Sequence, residues 1–392
     1  MTRTPASPTT PLRTRTALAA GLLAGTGILF LLACGGGSAG DSTPVLAAPP
    51  SYQLTRLVSD QAATGAITTD ANLVNPWGLA FGPATDFWVA NQGTSTTTVY
   101  DGVGKPPTIP VIVAIPPIPG HAMGGPTGVT FNGSASFSGD QFIIASLDGC
   151  ICGWSSGTVM TRRVDNSGSQ AVYTGLAVGG TAATRYIYAA NLAAGTVDVF
   201  DASYAPVHLG TGALVDPTLP AGFSPYNVQV LAGKLFVTYA KYATSALRET
   251  PGAGYGYVSV FNLDGTFVQR LASGGLLLNA PWGLAIAPAD FGPLSGALLV
   301  GNFGDGRITA YNPTTGASMG QLSDASGAPM VISGLWGLSF GNGAAAGGVN
   351  QLFVTAGSQT ETHGLFGVIT YGPSGIGTGG GTGTGGGGGL GY

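Results

Sequence analysis

Asn75-Pro76-Trp77-Gly78-Leu79-Ala80-Phe81 is the first clear copy of a phrase that recurs along this chain of 392 residues. Two close copies read Ala280-Pro281-Trp282-Gly283-Leu284-Ala285-Ile286 and Gly334-Leu335-Trp336-Gly337-Leu338-Ser339-Phe340, and looser copies begin at Gly125, Val172 and Ser224. The third position of the phrase falls at residues 77, 127, 174, 226, 282 and 336, with steps of 50, 47, 52, 56 and 54 residues. Repeats of this length with strand-like content are typical of β-propellers, in which each repeat forms one blade. We therefore predict an all-β fold, a six-bladed β-propeller of four-stranded antiparallel blades.

The fifth repeat indicates how one blade is built. Four short strand-like runs lie between clusters of turn residues, at 284–287, 297–302, 307–312 and 318–322. The first two runs are almost entirely apolar, as expected of strands packed on both faces, whereas the third alternates between polar and apolar residues. We predict an antiparallel meander whose third strand is half exposed.

The sixth repeat lacks a fourth strand, because the chain becomes Gly-rich after residue 371. An unassigned strand-like run at 52–58 precedes the first repeat. We predict that this run pairs with residues 367–371 and closes the ring, which would remove an open sheet edge. The predicted propeller domain is therefore 51–373, followed at 374–392 by a Gly-rich tail that cannot bury apolar surface and should be disordered.

The N-terminus has the features of an export signal. Arg3, Arg13 and Arg15 precede an apolar run at 17–33, and Leu31-Leu32-Ala33-Cys34 resembles a bacterial lipobox. We predict a lipoprotein signal peptide at 1–33, lipidation of Cys34 as the membrane attachment, and a flexible tether at 34–50. Secretion without a lipid and an uncleaved membrane anchor remain alternatives, although the run is short for an anchor. The expected location is the bacterial cell envelope, periplasmic or surface-exposed.

Charge is sparse in this chain. Charged residues make up 8% of the sequence and the formal net charge is −4, so no basic stripe is present that could bind phosphates. This composition argues against nucleic acid as a partner and suits an exported protein. We expect a monomer whose partner is an envelope protein or a glycan.

The chain resembles a known group of propellers. The Pro-x-Gly-Leu/Val opening of the repeats, Val89-Ala90-Asn91 and the Val-x-Val-Phe-Asp run ending at Asp201 resemble NHL-type propellers. Asn75-Pro76-Trp77-Gly78-Leu79 followed by Val89-Ala90-Asn91 is similar to an uncharacterised family of exported bacterial six-bladed propellers, some with C-terminal sorting signals. The resemblance covers residues 52–373 and implies the fold, but this family has no assigned reaction to carry over.

The candidate site lies where the loops entering each first strand and the loops between strands two and three share one face. The first set supplies aromatic residues and the second set mainly amides, and the candidate ligand-binding residues are Trp77, Tyr226, Trp282, Trp336, Asn91, Asp148, Asn191, Lys241 and Asn302. His121 follows a Pro-Gly pair and could reach the same face. Aromatic faces beside amides suit neutral polar ligands such as sugars. The alternative is that the Trp residues only pack between blades and the Asn residues only cap turns.

Little in the sequence points to catalysis. Asp148 is the best single candidate for a general acid or base, although Asp148-Gly149 is also a common hairpin turn. The three His residues share no motif, so no zinc site and no cofactor are predicted. The sequence leaves open whether a calcium ion binds in the central channel. Cys150 and Cys152 flank one residue in a strand, a spacing that disfavours a disulfide, and are expected to be buried thiols.

We therefore favour a surface-tethered, non-catalytic binding module for a neutral polar ligand or an envelope partner. The alternative is an exported hydrolase or lyase that acts on a sugar, lactone or peptide-like substrate at the same end of the central channel, which we call the channel mouth. A third reading, a structural protein with no ligand, is favoured if Trp side chains fill the channel. A pair of titratable groups that converges at the mouth would distinguish an enzyme from a binding module.

Overall fold

The computed structural model describes residues 50–181 and 184–373, and within these ranges the chain forms six sheets, one for each predicted blade. The predicted all-β, six-bladed propeller is therefore confirmed. The signal peptide, Cys34, the tether up to residue 49 and the tail at 374–392 lie outside the described residues. No helix in the described ranges combines the length and apolar character needed to cross a bilayer.

Blades one to three follow one another along the chain as four-stranded antiparallel meanders. Two strands precede them and belong to the last blade: β1 (Pro50–Ser59) and β2 (Thr68–Thr69). Blade one comprises β3 (Pro76–Ala80), β4 (Phe87–Asn91), β5 (Thr96–Tyr100) and β6 (Ile112–Ala114). Blade two comprises β7 (Pro126–Phe131), β8 (Phe142–Ser146), β9 (Cys150–Trp154) and β10 (Thr161–Asp165). Blade three comprises β11 (Tyr173–Gly180), β12 (Arg185–Asn191), β13 (Thr196–Phe200) and β14 (Pro206–Val207).

The remaining blades carry additions to this plan. Blade four comprises β15 (Phe223–Leu231), β16 (Lys234–Ala243), β17 (Arg248–Glu249), β18 (Gly256–Phe261) and β19 (Phe267–Ser273), of which β17 pairs only with the end of β16. Blade five comprises β20 (Pro281–Ile286), β21 (Leu298–Asn302), β22 (Ile308–Tyr311) and β23 (Ser318–Gln321). Blade six comprises β24 (Leu335–Phe340), β25 (Leu352–Gly357) and β26 (His363–Pro373), with the helical turn α1 (Ser358–Glu361) between the last two. Short 3-10 turns lie at Ala62–Thr64, Gln92–Thr94, Phe137–Gly139, Ser167–Ser169 and Gly292–Leu294.

The N-terminal strand completes the last blade as predicted. β1 pairs antiparallel with β26 from Ser51 opposite Gly372 to Ser59 opposite Leu365, with one irregularity near Val58. β2 then adds in parallel outside β1. Because the two ends of the propeller share one sheet, the ring is closed by hydrogen bonds between its first and last strands.

The innermost strands β3, β7, β11, β15, β20 and β24 each contact the next, and β24 contacts β3. Five of the six carry Gly at the fourth position of the repeated phrase. A Cβ atom on Gly283 would lie 2.4 Å from the Trp336 carbonyl oxygen, a distance that real Cβ atoms do not adopt. Asn227 takes this position in blade four, where it fills the space beside Gly175 and donates to the Trp282 carbonyl oxygen at 2.8 Å. Glycine is therefore needed here for close approach between strands.

The prediction of a half-exposed third strand in blade five was wrong. All four residues of β22 are buried. The polar residue of the strand, Thr309, is accommodated because its hydroxyl donates to the Leu277 carbonyl oxygen at 3.1 Å. The alternation in this run therefore reflects a buried polar group that is hydrogen-bonded to the loop before β20, rather than a solvent-facing side.

Ring closure can be tested at Tyr52. This side chain is 5% exposed, packs on Phe291 and Tyr371, and donates to the Phe291 carbonyl oxygen at 2.8 Å. We expect Tyr52→Ala to lower the free energy of unfolding by about 3–5 kcal/mol, as for other buried aromatic truncations. Denaturant unfolding provides the measurement. The matched control is Thr55→Ala on the exposed side of the same strand, with an expected change within about 0.5 kcal/mol. Equal effects of the two variants would contradict a closing role for β1.

Candidate functional site

An aromatic cluster occupies the axis of the propeller. Trp77 stacks on Trp336 with ring centroids 3.6 Å apart, Trp282 meets both rings edge-on at 6.0 and 5.9 Å, and Tyr226 lies 6.1 Å from Trp336. Each of the four is at most 2% exposed. We call these four residues the aromatic plug. The side chains predicted to form a ring at the mouth do converge, but they pack against one another instead of lining an open pore.

A repeated backbone feature directs these side chains to the axis. In every blade the pairing of the first two strands shifts register at or beside the third position of the repeated phrase. Such a bulge re-aims the side chain of the extra residue. The third-position residues are all buried: Trp77, Thr127, Thr174, Tyr226, Trp282 and Trp336.

The polar atoms of the plug are only partly satisfied. Trp282 Nε1 donates to the Thr174 carbonyl oxygen at 2.8 Å, and Trp336 Nε1 donates to Asn75 Oδ1 at 3.0 Å. Trp77 Nε1 and the Tyr226 hydroxyl have no hydrogen-bond partner among the described residues. Burial, with the nearby charge of Glu249 as a second cause, raises the pKa of Tyr226 well above its usual value. The hydroxyl is therefore a neutral group.

A cavity of about 240 Å³ lies over the plug on the face of the entering loops. We call it the mouth cavity. Apolar side chains form much of its wall, and polar groups from four blades share the rest. Its lining residues are Trp77, Gln92, Leu147, Val172, Thr174, Leu192, Leu247, Arg248, Glu249 and Glu361.

The charged wall of the mouth cavity is a guanidinium between two carboxylates. Arg248 Nη2 lies 3.0 Å from Glu249 Oε1 and 2.6 Å from Glu361 Oε1. The side chain of Glu249 is 4% exposed, that of Glu361 18% and that of Arg248 47%. Burial raises the pKa of Glu249, and the Arg248 charge opposes this shift without cancelling it. The three groups therefore form the converging titratable set that would allow acid–base chemistry.

Extended loops on two blades bring these groups together. In blade four, β16 continues past the blade and turns back through β17, where Ala243 pairs with Arg248 and Tyr242 with Glu249. In blade six, α1 carries three consecutive residues with positive φ: Gln359 (51°), Thr360 (56°) and Glu361 (68°). Left-handed backbone in successive non-Gly residues is costly, so this loop is held in a strained form.

Asn75 links the plug to the charged wall. Its side chain accepts from Trp336 and donates to Gln92 Oε1 at 2.9 Å and to Glu361 Oε2 at 3.2 Å. Asn75 itself has φ of 45°, a conformation that Asn tolerates better than most residues. One buried amide therefore sets the positions of two side chains of the mouth cavity.

The three predicted amides stabilise turns. Asn91 donates to Thr98 Oγ1 at 3.0 Å, Asn191 to Asp198 Oδ2 at 2.9 Å and Asn302 to the Leu277 carbonyl oxygen at 2.9 Å. All three side chains are buried and none lines the mouth cavity. Their position at the end of the second strand repeats because each secures the loop that follows or enters its own blade.

Three other predicted residues have roles outside the mouth cavity. Asp148 accepts from Ser146 Oγ at 2.5 Å and from the Ile118 backbone N–H at 3.3 Å, so it holds two loops. His121 is exposed, and Lys241 Nζ lies 4.3 Å from the ring centroid of Tyr255. None of these three residues is on the wall of the mouth cavity.

No described Cys or His residue lines the mouth cavity. Cys150 and Cys152 are both buried thiols without a disulfide, as predicted. Burial raises the pKa of Cys152 to about 12, so its thiolate is strongly disfavoured. His363 Nδ1 lies 2.6 Å from Asp60 Oδ2, outside the lining of the mouth cavity. Within the described ranges, no group of three His, Cys, Asp or Glu residues is placed to hold a metal ion.

Two further cavities adjoin the axis. One, of about 450 Å³, shares Arg248 and Glu361 with the mouth cavity and adds Phe303 and Asp305 to the same face. Burial raises the pKa of Asp305. The other, of about 340 Å³, lies at the opposite end of the innermost strands and is lined by residues such as Phe81, Phe131 and Val178. The ion pair of Arg248 and Glu361 thus separates two cavities on one face.

Sequence reasoning missed the charged wall. Arg248 and Glu249 belong to a loop between strands two and three that is longer in blade four than in blade one, two, three or five. A pair of adjacent charges in that loop stands out in a chain with 8% charged residues. Loop length combined with rare charge is the signal that could have identified them.

No protein-family model matches the chain. The uncharacterised protein R648 of Acanthamoeba polyphaga mimivirus is 35% identical over 340 residues, which cover 81% of this chain and 80% of that protein. The uncharacterised protein L690 of the same virus is 32% identical over 314 residues, covering 74% and 79%. A streptogramin B lyase structure has 9% identity and a TM-score of 0.48, covering 82% of this chain and 98% of the lyase. Both of these sequence relatives are viral, whereas the resemblance seen in the repeats was to exported bacterial propellers.

Proposed function

The chain belongs to the same family as the mimivirus proteins R648 and L690, and we propose that it binds a small polar ligand in the mouth cavity without converting it. The observation that carries this proposal is the cavity itself. Its volume of about 240 Å³ is of the order of one sugar ring, and polar groups from blades one, three, four and six converge on it. Concave sites with apolar walls and a few placed polar groups are the usual form of ligand sites.

The aromatic plug is the arrangement expected of a structural propeller without a ligand, but the mouth cavity lies above it at Trp77, and the proposed site is that cavity. Because the plug is buried, a ligand that enters from the mouth face meets a closed floor at Trp77 and stays over the charged wall. The floor is rigid, since its rings are packed on one another and held by the Trp282 and Trp336 hydrogen bonds. A preformed, rigid floor lowers the ordering cost of binding.

Site location can be tested by filling the cavity. We expect Val172→Phe to weaken the binding of hexoses to the full chain by at least about tenfold, because the larger ring would occupy the cavity. The matched control is Val178→Phe, at the opposite end of the same strand region and on the wall of the other axial cavity. Isothermal titration calorimetry with glucose, N-acetylglucosamine and glucosamine provides the measurement. Loss of binding in the control but not in Val172→Phe would move the site to the other cavity.

A second candidate function is hydrolysis of a sugar, lactone or peptide-like substrate at the same place. The observation that favours it is the pair Glu249 and Glu361, two carboxyl groups in different environments on one wall. A buried Glu249 with a raised pKa could donate a proton to a leaving group, while Glu361 could accept one from water.

Turnover distinguishes this candidate from a binding module. If Glu249 is a proton donor, release of 4-nitrophenolate from 4-nitrophenyl glycosides should fall as pH rises through the raised pKa of Glu249, because the acid form is then lost. Glu249→Gln should abolish the reaction, with Asp148→Asn as the control outside the cavity. A wild-type protein that binds hexoses and releases no nitrophenolate would exclude glycoside hydrolysis and favour the binding module.

The leader sequence supports a tethered protein outside the cytoplasm, in a cell envelope. The signal features before Cys34 and the Gly- and Pro-rich stretch after it suit a lipid anchor and a spacer, and an envelope protein or glycan remains the expected partner. Mass spectrometry of the mature N-terminus should detect acyl chains on Cys34 and none in Cys34→Ser. A mature chain that begins elsewhere, or carries no lipid, would contradict the anchor.

A further inference from the structure

We propose that the ligand of the mouth cavity is an amino sugar, whose protonated amine replaces the Arg248 guanidinium between Glu249 and Glu361. This inference rests on the proposed function, because it names the class of ligand for the same cavity. The juxtaposition that carries it is the convergence of two carboxylates from separate blades on one nitrogen atom.

The charge of the wall favours a cation. Arg248 is the one cation among the described residues that line the mouth cavity, and the carboxyl groups of Glu249 and Glu361 share it. The adjoining cavity adds a further carboxylate, Asp305. An ammonium group can take the place of that cation between the two carboxyl groups, whereas a carboxylate ligand would add a like charge.

The guanidinium is a removable occupant of this cation position. The side chain of Arg248 is 47% exposed, while those of Glu249 and Glu361 are 4% and 18% exposed. The carboxylates are thus held by the protein, and Arg248 can turn its long side chain into solvent. Arg248 therefore holds the position between the two carboxyl groups that a ligand cation would take.

Two hydrogen-bond donors on the wall of the mouth cavity suit oxygen atoms of a ligand. Trp77 lines the cavity and its Nε1–H has no acceptor among the described residues. Gln92 Oε1 accepts from Asn75, and no hydrogen bond within the described ranges involves its Nε2 amide. These are donors, so they suit hydroxyl or ring oxygens. An unmet buried donor such as Trp77 Nε1–H costs stability until an acceptor arrives.

The remaining walls suit the apolar face of a sugar ring. Leu147, Val172 and Leu192 present hydrocarbon surface beside the charged wall. A ligand that fits all of these groups needs an ammonium, several oxygens and a C–H face within about 240 Å³. A hexosamine has this combination, whereas a neutral hexose lacks the charge and a polyamine lacks the oxygens.

The test compares matched hexoses by isothermal titration calorimetry on the full chain at about pH 6.5, where a sugar amine is mostly protonated. The probes are glucosamine, glucose and glucuronate. We expect glucosamine to bind at least about tenfold more tightly than glucose, and glucuronate to bind more weakly than either. Glu249→Gln and, independently, Glu361→Gln should each remove most of this preference, so one misfolded variant does not decide the result.

The control variant is Asp264→Asn, which removes the same charge from an exposed turn between β18 and β19. It should keep the preference for glucosamine. Equal affinity of the wild-type protein for glucosamine and glucose would overturn the amino-sugar inference and leave the proposed function standing. Absence of binding by all three probes would overturn both, and loss of preference in Asp264→Asn would overturn the local role of the carboxylate pair.

Discussion

The close approach of the six innermost strands around one axis is the constraint on which the rest of this propeller depends. At Gly283 and Gly337 a Cβ atom would lie 2.4 and 2.3 Å from atoms of the neighbouring blade, so larger residues would push the blades apart. The bulge beside each of these positions turns the preceding side chain to the axis, where the Trp and Tyr rings meet. Aromatic pairs at such distances contribute roughly 0.5–1.5 kcal/mol each beyond their buried area. Strand spacing, plug and floor of the mouth cavity therefore follow from one repeated phrase.

The mouth face departs from this regularity at a cost in stability. Trp77 Nε1 is buried without a partner, and an unmet polar group of this kind costs about 1–3 kcal/mol. Gln359, Thr360 and Glu361 adopt left-handed backbone in succession. Such features cluster at functional sites, where neighbouring structure holds them in place. Their location beside Arg248 is the reason to assign function to this end of the axis rather than to the opposite cavity.

The sequence was sufficient to predict the architecture, because the repeated phrase marks the start of each blade. The strand pattern within each run depends only on neighbouring residues. The sequence predicted the pairing of residues 52–58 with 367–371. It also predicted that Trp77, Trp282 and Trp336 lie together on one face of the propeller. It could not show that these rings would pack into a plug, because burial depends on the distance between blades. It missed Arg248, Glu249 and Glu361 because they do not belong to the repeat: a hairpin extension and a strained turn from distant parts of the chain bring them together. The alternating pattern of β22 led to a wrong prediction of exposure for a related reason. A hydrogen bond from the Thr309 hydroxyl to the Leu277 carbonyl oxygen, in the loop before β20, allows Thr309 to be buried.

The most direct test of the account is fluorine NMR of the full chain labelled with 5-fluorotryptophan and titrated with glucosamine. The chain has five Trp residues, and the Trp77 resonance can be assigned from its loss in Trp77→Phe. Trp88 and Trp154 serve as internal references, because they pack together between blades one and two with centroids 4.5 Å apart. A saturable shift of Trp77 with no change at Trp88 or Trp154 is the predicted result. A titration that leaves Trp77 unmoved, or that shifts only the two reference residues, would contradict a ligand site at the mouth.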